Sequence, residues 1–127
     1  MPAGVGSRRA ISSTGVDMPT FTFSEIEQQL QAAGGHYREF LRVPALSLGL
    51  YVLPTGSEDG QSLHTEDEAY YVIAGRAMVN VAGEEQAVGP GSVVYVAANV
   101  PHHFHSITED LRLLVFFAPA EYSQAEA

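Results

Sequence analysis

The chain contains no cysteine and no lysine. Without cysteine, disulfides, thiolate metal sites and cysteine nucleophiles are excluded. Without lysine, Schiff-base chemistry and a lysine general base are excluded as well. Positive charge is scarce: all six basic residues are arginine, against fifteen acidic ones, and the net charge is −9. A surface of that sign repels phosphates and no basic patch stands out, so nucleic acid is not an expected partner. No apolar run approaches the roughly 20 residues that span a bilayer. No apolar stretch follows Arg8 and Arg9 in the manner of a signal peptide. The expectation is a cytoplasmic protein without a membrane partner.

What is present is enough for one domain. At 127 residues and 46% hydrophobic, the chain can bury a real core. Residues 1–19 are rich in Gly, Ser, Pro and Ala without a period, and read as a flexible N-terminal arm ahead of a domain at 20–127. "TFSEIEQQLQAAGG" predicts one helix: Ser24 as N-cap, Glu27 completing a capping box, Ile26, Leu30 and Ala33 on one face, and Gly34-Gly35 as the stop. From residue 36 the signals are β. "YREFLRV", "ALSLGLYVL", "AYYVIAG", "RAMVNVAG", "EQAV", "SVVYVAA", "HHFHSIT" and "RLLVFFAP" predict about eight strands, with Gly75 ending one and "EDL" turning between the last two. Short strands, tight turns and almost no helix point to an all-β sandwich or barrel.

Two clusters carry the candidate chemistry. "SLHTEDEAYYVIAG", residues 62 to 75, sets His64 beside Glu66, Asp67 and Glu68. On extended chain Ser62, His64, Glu66, Glu68, Tyr70 and Val72 share a parity, with Glu66 the least fixed because the turn can slip it; Gln61 faces the other way. "PHHFHSI" puts His102, Phe104 and Ser106 on one face, and His103 and His105 on the other. Taken singly, the first is most simply a solvated turn and the second an edge strand with polar outer positions. Together they offer His64, Glu68 and His102 as two imidazoles and one carboxylate, with Glu66 as a possible extra ligand. That set leaves open positions and suits divalent iron or manganese; zinc, nickel or copper are further options. Tyr70, two residues past Glu68 on the same face, is the candidate catalytic side chain, its hydroxyl aimed at Glu68 or a metal-bound water. Ser62, Tyr70, Tyr95 and Phe104 are candidates for the pocket wall, although core packing is the stronger reading of Tyr95 and Phe104.

The two stretches resemble the two conserved motifs of the cupin superfamily. Glu68 and Gly75 stand at the E-x6-G spacing of the first motif, and His64 stands at its second histidine. Gly91, Ala97, Asn99, His102 and Ser106 fall on the positions of the second motif, G-x5-P-x-G-x2-H-x3-N. The departures are Ser62 where the family has its first histidine, Ala97 for proline, Asn99 for glycine and Ser106 for asparagine. The resemblance implies a double-stranded β-helix, or jelly-roll barrel, with motif 1 at about 60–75 and motif 2 at about 91–106. It also implies a metal site inside one end of the barrel. Ser62 removes one of the family's four ligands and leaves His64, Glu68 and His102. The activity implied first is a dioxygenase-type oxidoreductase acting on a small molecule. A non-catalytic ligand- or metal-binding barrel is the alternative, and a metal-dependent isomerase or lyase a further one. Small cupins pair through N-terminal strands, so a homodimer along "HYREFLRV" is expected.

Overall fold

The computed structural model describes residues 18–60 and 63–124. Most of the expected N-terminal arm, together with Gln61 and Ser62, lies outside these residues. The elements are α1 (Phe23–Ala33), β1 (Tyr37–Val43), β2 (Leu46–Leu53), β3 (Asp67–Val81), β4 (Glu84–Val88), β5 (Val93–Val96) and β6 (His102–Ala118). All strand pairs are antiparallel, in the order β1-β2-β6-β3-β4, with β5 also on β3. The sheet curls around a core of Tyr70, Val72, Val79, Phe104, Leu111, Leu113, Val115 and Phe117. The all-β barrel with one short helix expected from the sequence is what folds.

The expected eight strands become six because two pairs fuse. Gly75 does not end a strand. Its φ of 97° kinks β3, and the β3–β6 register shifts on either side of it. The "EDL" segment is likewise not a turn, since Glu109 and Asp110 lie within β6. Ser106 has φ 51° and acts as the matching kink there. A bulge of this kind bends a strand and re-aims its side chains without breaking the ladder. One consequence is that Ser106 leaves the parity it shared with His102 and is exposed, while Ile107 is buried.

The helix starts two residues earlier than expected. Thr22, not Ser24, is the N-cap: its hydroxyl oxygen accepts the Glu25 amide at 3.2 Å and its O–H donates to the Glu25 carboxylate at 2.6 Å. The capping box is therefore Thr22–Glu25, the same chemistry shifted by two. Ile26 and Leu30 bury against Leu50, Phe40, Val52 and Ile73. So the Leu50 and Val52 face of β2 meets α1, while Tyr51 and Leu53 on its other face join the barrel core.

Candidate functional site

Two turns bring the candidate residues together. β5 pairs with the start of β3 at Glu68↔Val96, so the turn after β5 returns over Glu68 and delivers His102. That turn is clasped to the segment before β3. The Asn99 amide donates to the His64 carbonyl at 2.7 Å, and the Ala98 amide to Asp67 Oδ1 at 2.9 Å. Asn99 adopts φ 64°, which explains how it can stand where the second motif has glycine. Asp67 is exposed as its parity required, but its carboxylate fastens the clasp.

His102 and Glu68 are buried, and His64 is nearly so. His102 Nδ1 lies 2.8 Å from the Val100 carbonyl, which can only accept, so this nitrogen carries a proton. In the neutral ring Nε2 is then a lone pair, 3.1 Å from the Tyr70 hydroxyl. Nε2 is also 2.9 Å from Glu68 Oε1, off the axis of a directed hydrogen bond, which leaves that oxygen without a hydrogen-bond partner. Burial pulls the His102 pKa down, but Glu68, the Val100 carbonyl and Asp59 outweigh it and hold it above the ordinary imidazole value. His64 packs its ring on Phe117, at 4.7 Å between centres, and points Nδ1 toward Glu121 at 3.6 Å. That nitrogen is buried and has no hydrogen-bond partner.

His102 stands behind Glu68 and Tyr70, reaching both through Nε2, and His64, Glu68 and Tyr70 line a pocket of about 210 Å³. Its wall includes residues for which the sequence carried no readable signal: Tyr37, Tyr51, Asp59, Glu121 and Tyr122. They come from β1, β2, the 54–60 loop and the C-terminal tail, and only the pairing register assembles them. Tyr37 Oη is buried without a partner, and burial, then Glu121 and Glu39, raise its pKa, so it stays protonated. Tyr51 donates to Asp59 at 2.5 Å. Burial lifts the Glu121 carboxyl to about 7, helped by Glu39, Glu68 and Glu66 and opposed by the Tyr122 hydroxyl.

Three expectations need correction or refinement. Glu66 is not an extra ligand. It is 1% exposed, but it turns away from the pocket and accepts the Tyr122 and Gln124 amides and the Thr65 hydroxyl. Tyr95 is neither core nor pocket wall: it is 62% exposed, because Val94 and Val96 take the inner face of β5. Phe104 is core, stacked edge-on against Tyr70 at 4.9 Å, and does not line this pocket. Ser62 lies outside the described residues.

The donor types fit a divalent cation: two imidazoles and one carboxylate, with His64 Nδ1 buried without a hydrogen-bond partner and Glu68 Oε1 meeting only His102 Nε2. Holding His102 by Nδ1–H to a backbone carbonyl is also how metal-binding histidines are oriented. The spacing is wider than ligation requires. Metal–nitrogen bonds of about 2.1 Å set two imidazole centres about 4.5 Å apart at a right angle and about 5.2 Å at the tetrahedral angle. The His64 and His102 centres are 6.2 Å apart, because His64 leans toward Glu121. Among the described residues no three His, Asp or Glu side chains stand in ligating positions around one point.

The class the fold defines is an antiparallel jelly-roll β-barrel with a polar pocket lined by His64, Asp59, Glu68 and Glu121. The family can be stated: a family model described as Cupin domain matches residues 49–117, and the chain belongs to the cupin family. It is 48% identical over 104 residues to the uncharacterized protein SCO3923 of Streptomyces coelicolor, covering 82% of this chain and 99% of that protein. Its fold is similar to an RmlC-like cupin from Shewanella frigidimarina, with a TM-score of 0.62, 22% identity, and coverage of 74% and 84% of the two chains. It is also similar to the DMSP lyase DddQ from Ruegeria pomeroyi, with a TM-score of 0.57, 23% identity, and coverage of 60% of this chain and 39% of that one. At these identities the structural likeness concerns the fold, which hosts differing functions. Among the described residues no helix is long and apolar enough to cross a membrane.

Proposed function

We propose that this cupin binds a divalent cation through His64, Glu68 and His102, and acts on a small, uncharged or cationic polar molecule held beside it. The observation that carries the reading is a buried donor cluster: His64 Nδ1 has no hydrogen-bond partner among the described residues, and Glu68 Oε1 meets only His102 Nε2, at 2.9 Å, on an imidazole oriented by Val100. A buried polar atom left unmatched costs about 1–3 kcal/mol, which a bound cation would recover. The cation would act as a Lewis acid on a substrate oxygen or on water.

The chain's own residues set the substrate class. Asp59, Glu68 and Glu121 line the pocket, and among the described residues no arginine does. The described arginines are engaged elsewhere: Arg38 with Gln29, Arg42 with Glu39, Arg76 with Glu109 and Arg112 with Glu27. An anionic substrate would find no arginine counter-charge among the described residues. The Tyr37 hydroxyl is placed to donate to a substrate oxygen, and Glu121 to exchange a proton with a bound molecule. This supply of proton-handling groups favours a metal-dependent isomerase or lyase. The ligand types by themselves favour the dioxygenase-type reading, and oxygen uptake with candidate substrates separates the two. A homodimer along β1, which pairs with β2, belongs to the same reading and is checked by sedimentation.

The test is metal content. Tag-free protein stripped with EDTA and reloaded with Fe²⁺, Mn²⁺ or Zn²⁺ should lose one bound equivalent on His102→Ala and on Glu68→Gln, with circular dichroism confirming the barrel. If both variants keep all the metal of the unaltered chain, the site is misassigned.

A further inference from the structure

The second histidine cluster has a face the pocket does not use. His103 and His105 alternate with the inward His102 and Phe104, so both stand on the outer surface of β6. The register lines His103 up with Asn80 on β3, and Asn80 with Glu85 on β4, making one row across three strands. His105 is opposite Met78 in the next row. The His103 and His105 ring centres are 5.3 Å apart. That is close to the separation of about 5.2 Å expected for two imidazoles bound to one ion at the tetrahedral angle.

A carboxylate is already in place. Glu85 Oε1 is 2.7 Å from His105 Nε2. Its other oxygen accepts from Asn80 Nδ2 at 2.7 Å, and Asn80 Oδ1 in turn accepts the Gly83 amide of the β3–β4 turn at 3.0 Å. The turn thus fixes Asn80, and Asn80 fixes the carboxylate, which is how ligating carboxylates are commonly supported. Asn80, then His105, hold the Glu85 pKa below the ordinary glutamate value, so this carboxylate is ionised at neutral pH. The His105–Glu85 contact is about the distance between two ligand atoms on one ion. His103, His105 and Glu85 do not yet stand in ligating positions around one point, so seating a cation there requires the exposed His103 ring to turn toward that contact.

We propose that His103, His105 and Glu85 form a second, surface site for a divalent first-row transition ion, independent of the barrel pocket. Two nitrogens and one oxygen select Cu²⁺, Ni²⁺ and Zn²⁺ over Mg²⁺ and Ca²⁺, with Cu²⁺ bound most tightly. The side chains of His105 and Glu85 are 35% and 46% exposed, so water completes the coordination and the ion exchanges freely with solvent. An ion seated here joins β6 to β4 across β3, which stabilises the folded chain by mass action.

The experiment is a Zn²⁺ titration by calorimetry on EDTA-stripped, tag-free protein, with Mg²⁺ as the control. His103→Ala/His105→Ala should abolish one Zn²⁺-binding event, and Glu85→Gln should weaken it at least tenfold. His102→Ala should leave the same event intact, which separates this site from the barrel pocket. Cu²⁺ electron paramagnetic resonance of His102→Ala protein should show two coupled imidazole nitrogens, and none after the double substitution. His103, His105 and Glu85 are on the surface, so changing them does not endanger folding, while His102 is buried, and circular dichroism confirms the barrel in every variant. If the double variant binds Zn²⁺ as the parent does, or Mg²⁺ competes equally, the proposal is overturned.

Discussion

Tyr37 shows how one side chain trades stability for a binding surface. Its ring fits only because residue 49 is glycine: a Cβ on Gly49 would overlap the Tyr37 hydroxyl and ring. The hydroxyl so accommodated has no hydrogen-bond partner among the described residues. Tyr37→Phe removes an unmatched buried polar atom while keeping the ring's packing. We expect it to stabilise the protein by about 1 kcal/mol, seen as a melting temperature raised by about 2–6 °C. The same change should weaken binding of any small oxygen-bearing ligand in the pocket. A lower melting temperature would mean that the hydroxyl is satisfied after all. None of this was legible in the sequence. "HYREFLRV" read as an edge strand, and nothing local says that Tyr37 will stand opposite Tyr51 and reach the pocket. His64, Glu68 and His102 could be singled out only by reading the two clusters together, because each cluster alone has a plainer use as a solvated turn or an edge strand.

At the scale of elements, the two long strands matter most. β3 and β6 pair along most of their length, and each is bent once by a residue with positive φ, Gly75 in β3 and Ser106 in β6. The bends let one strand serve both ends of the barrel: β3 carries Glu68 and Tyr70 to the pocket and Val79 to the opposite core. The sequence showed glycine and polar residues at these points, and local rules read them as stops. Only the cross-strand partner reveals that the ladder continues. The same limit misplaced Tyr95, since a four-residue strand can be read on either parity. Gly75→Ala tests the kink. A Cβ there would meet the backbone of Asp110 and Leu111, and φ is 97°. The positive φ costs about 1–2 kcal/mol and the overlap about 1–3 more. Chemical denaturation should therefore show a loss of about 2–5 kcal/mol. A loss under about 1 kcal/mol would show that the strands can slide apart cheaply at the bend.

For the whole molecule, the pocket depends on how the chain's end is returned to its middle. After β6 the tail crosses the pocket mouth, where Glu121 and Tyr122 form part of the wall. Four hydrogen bonds hold it: the Ala120 amide to the Pro44 carbonyl at 3.2 Å, the Glu121 amide to Ser47 Oγ at 2.9 Å, and the Tyr122 and Gln124 amides to the two oxygens of Glu66 at 3.1 and 3.0 Å. Glu66 was suspected as a ligand because a buried carboxylate beside His64 and Glu68 has an obvious use. Its role is to anchor a segment more than fifty residues away, a pairing that spacing along the chain cannot reveal. Glu66→Gln keeps the shape but replaces one accepting oxygen by a donor facing an amide. We expect it to cost about 1–3 kcal/mol and to release the tail before the barrel. Hydrogen exchange is the discriminating measurement. The amides of Tyr122 and Gln124 should exchange at least tenfold faster in the variant, while those of β3 and β6 keep their protection. Metal affinity at His64, Glu68 and His102 should also fall, since His64 would lose Tyr122, 5.8 Å away, and Glu121 as neighbours. Unchanged exchange at the tail would show that Ser47 and the packing of Ala120 hold the segment without Glu66.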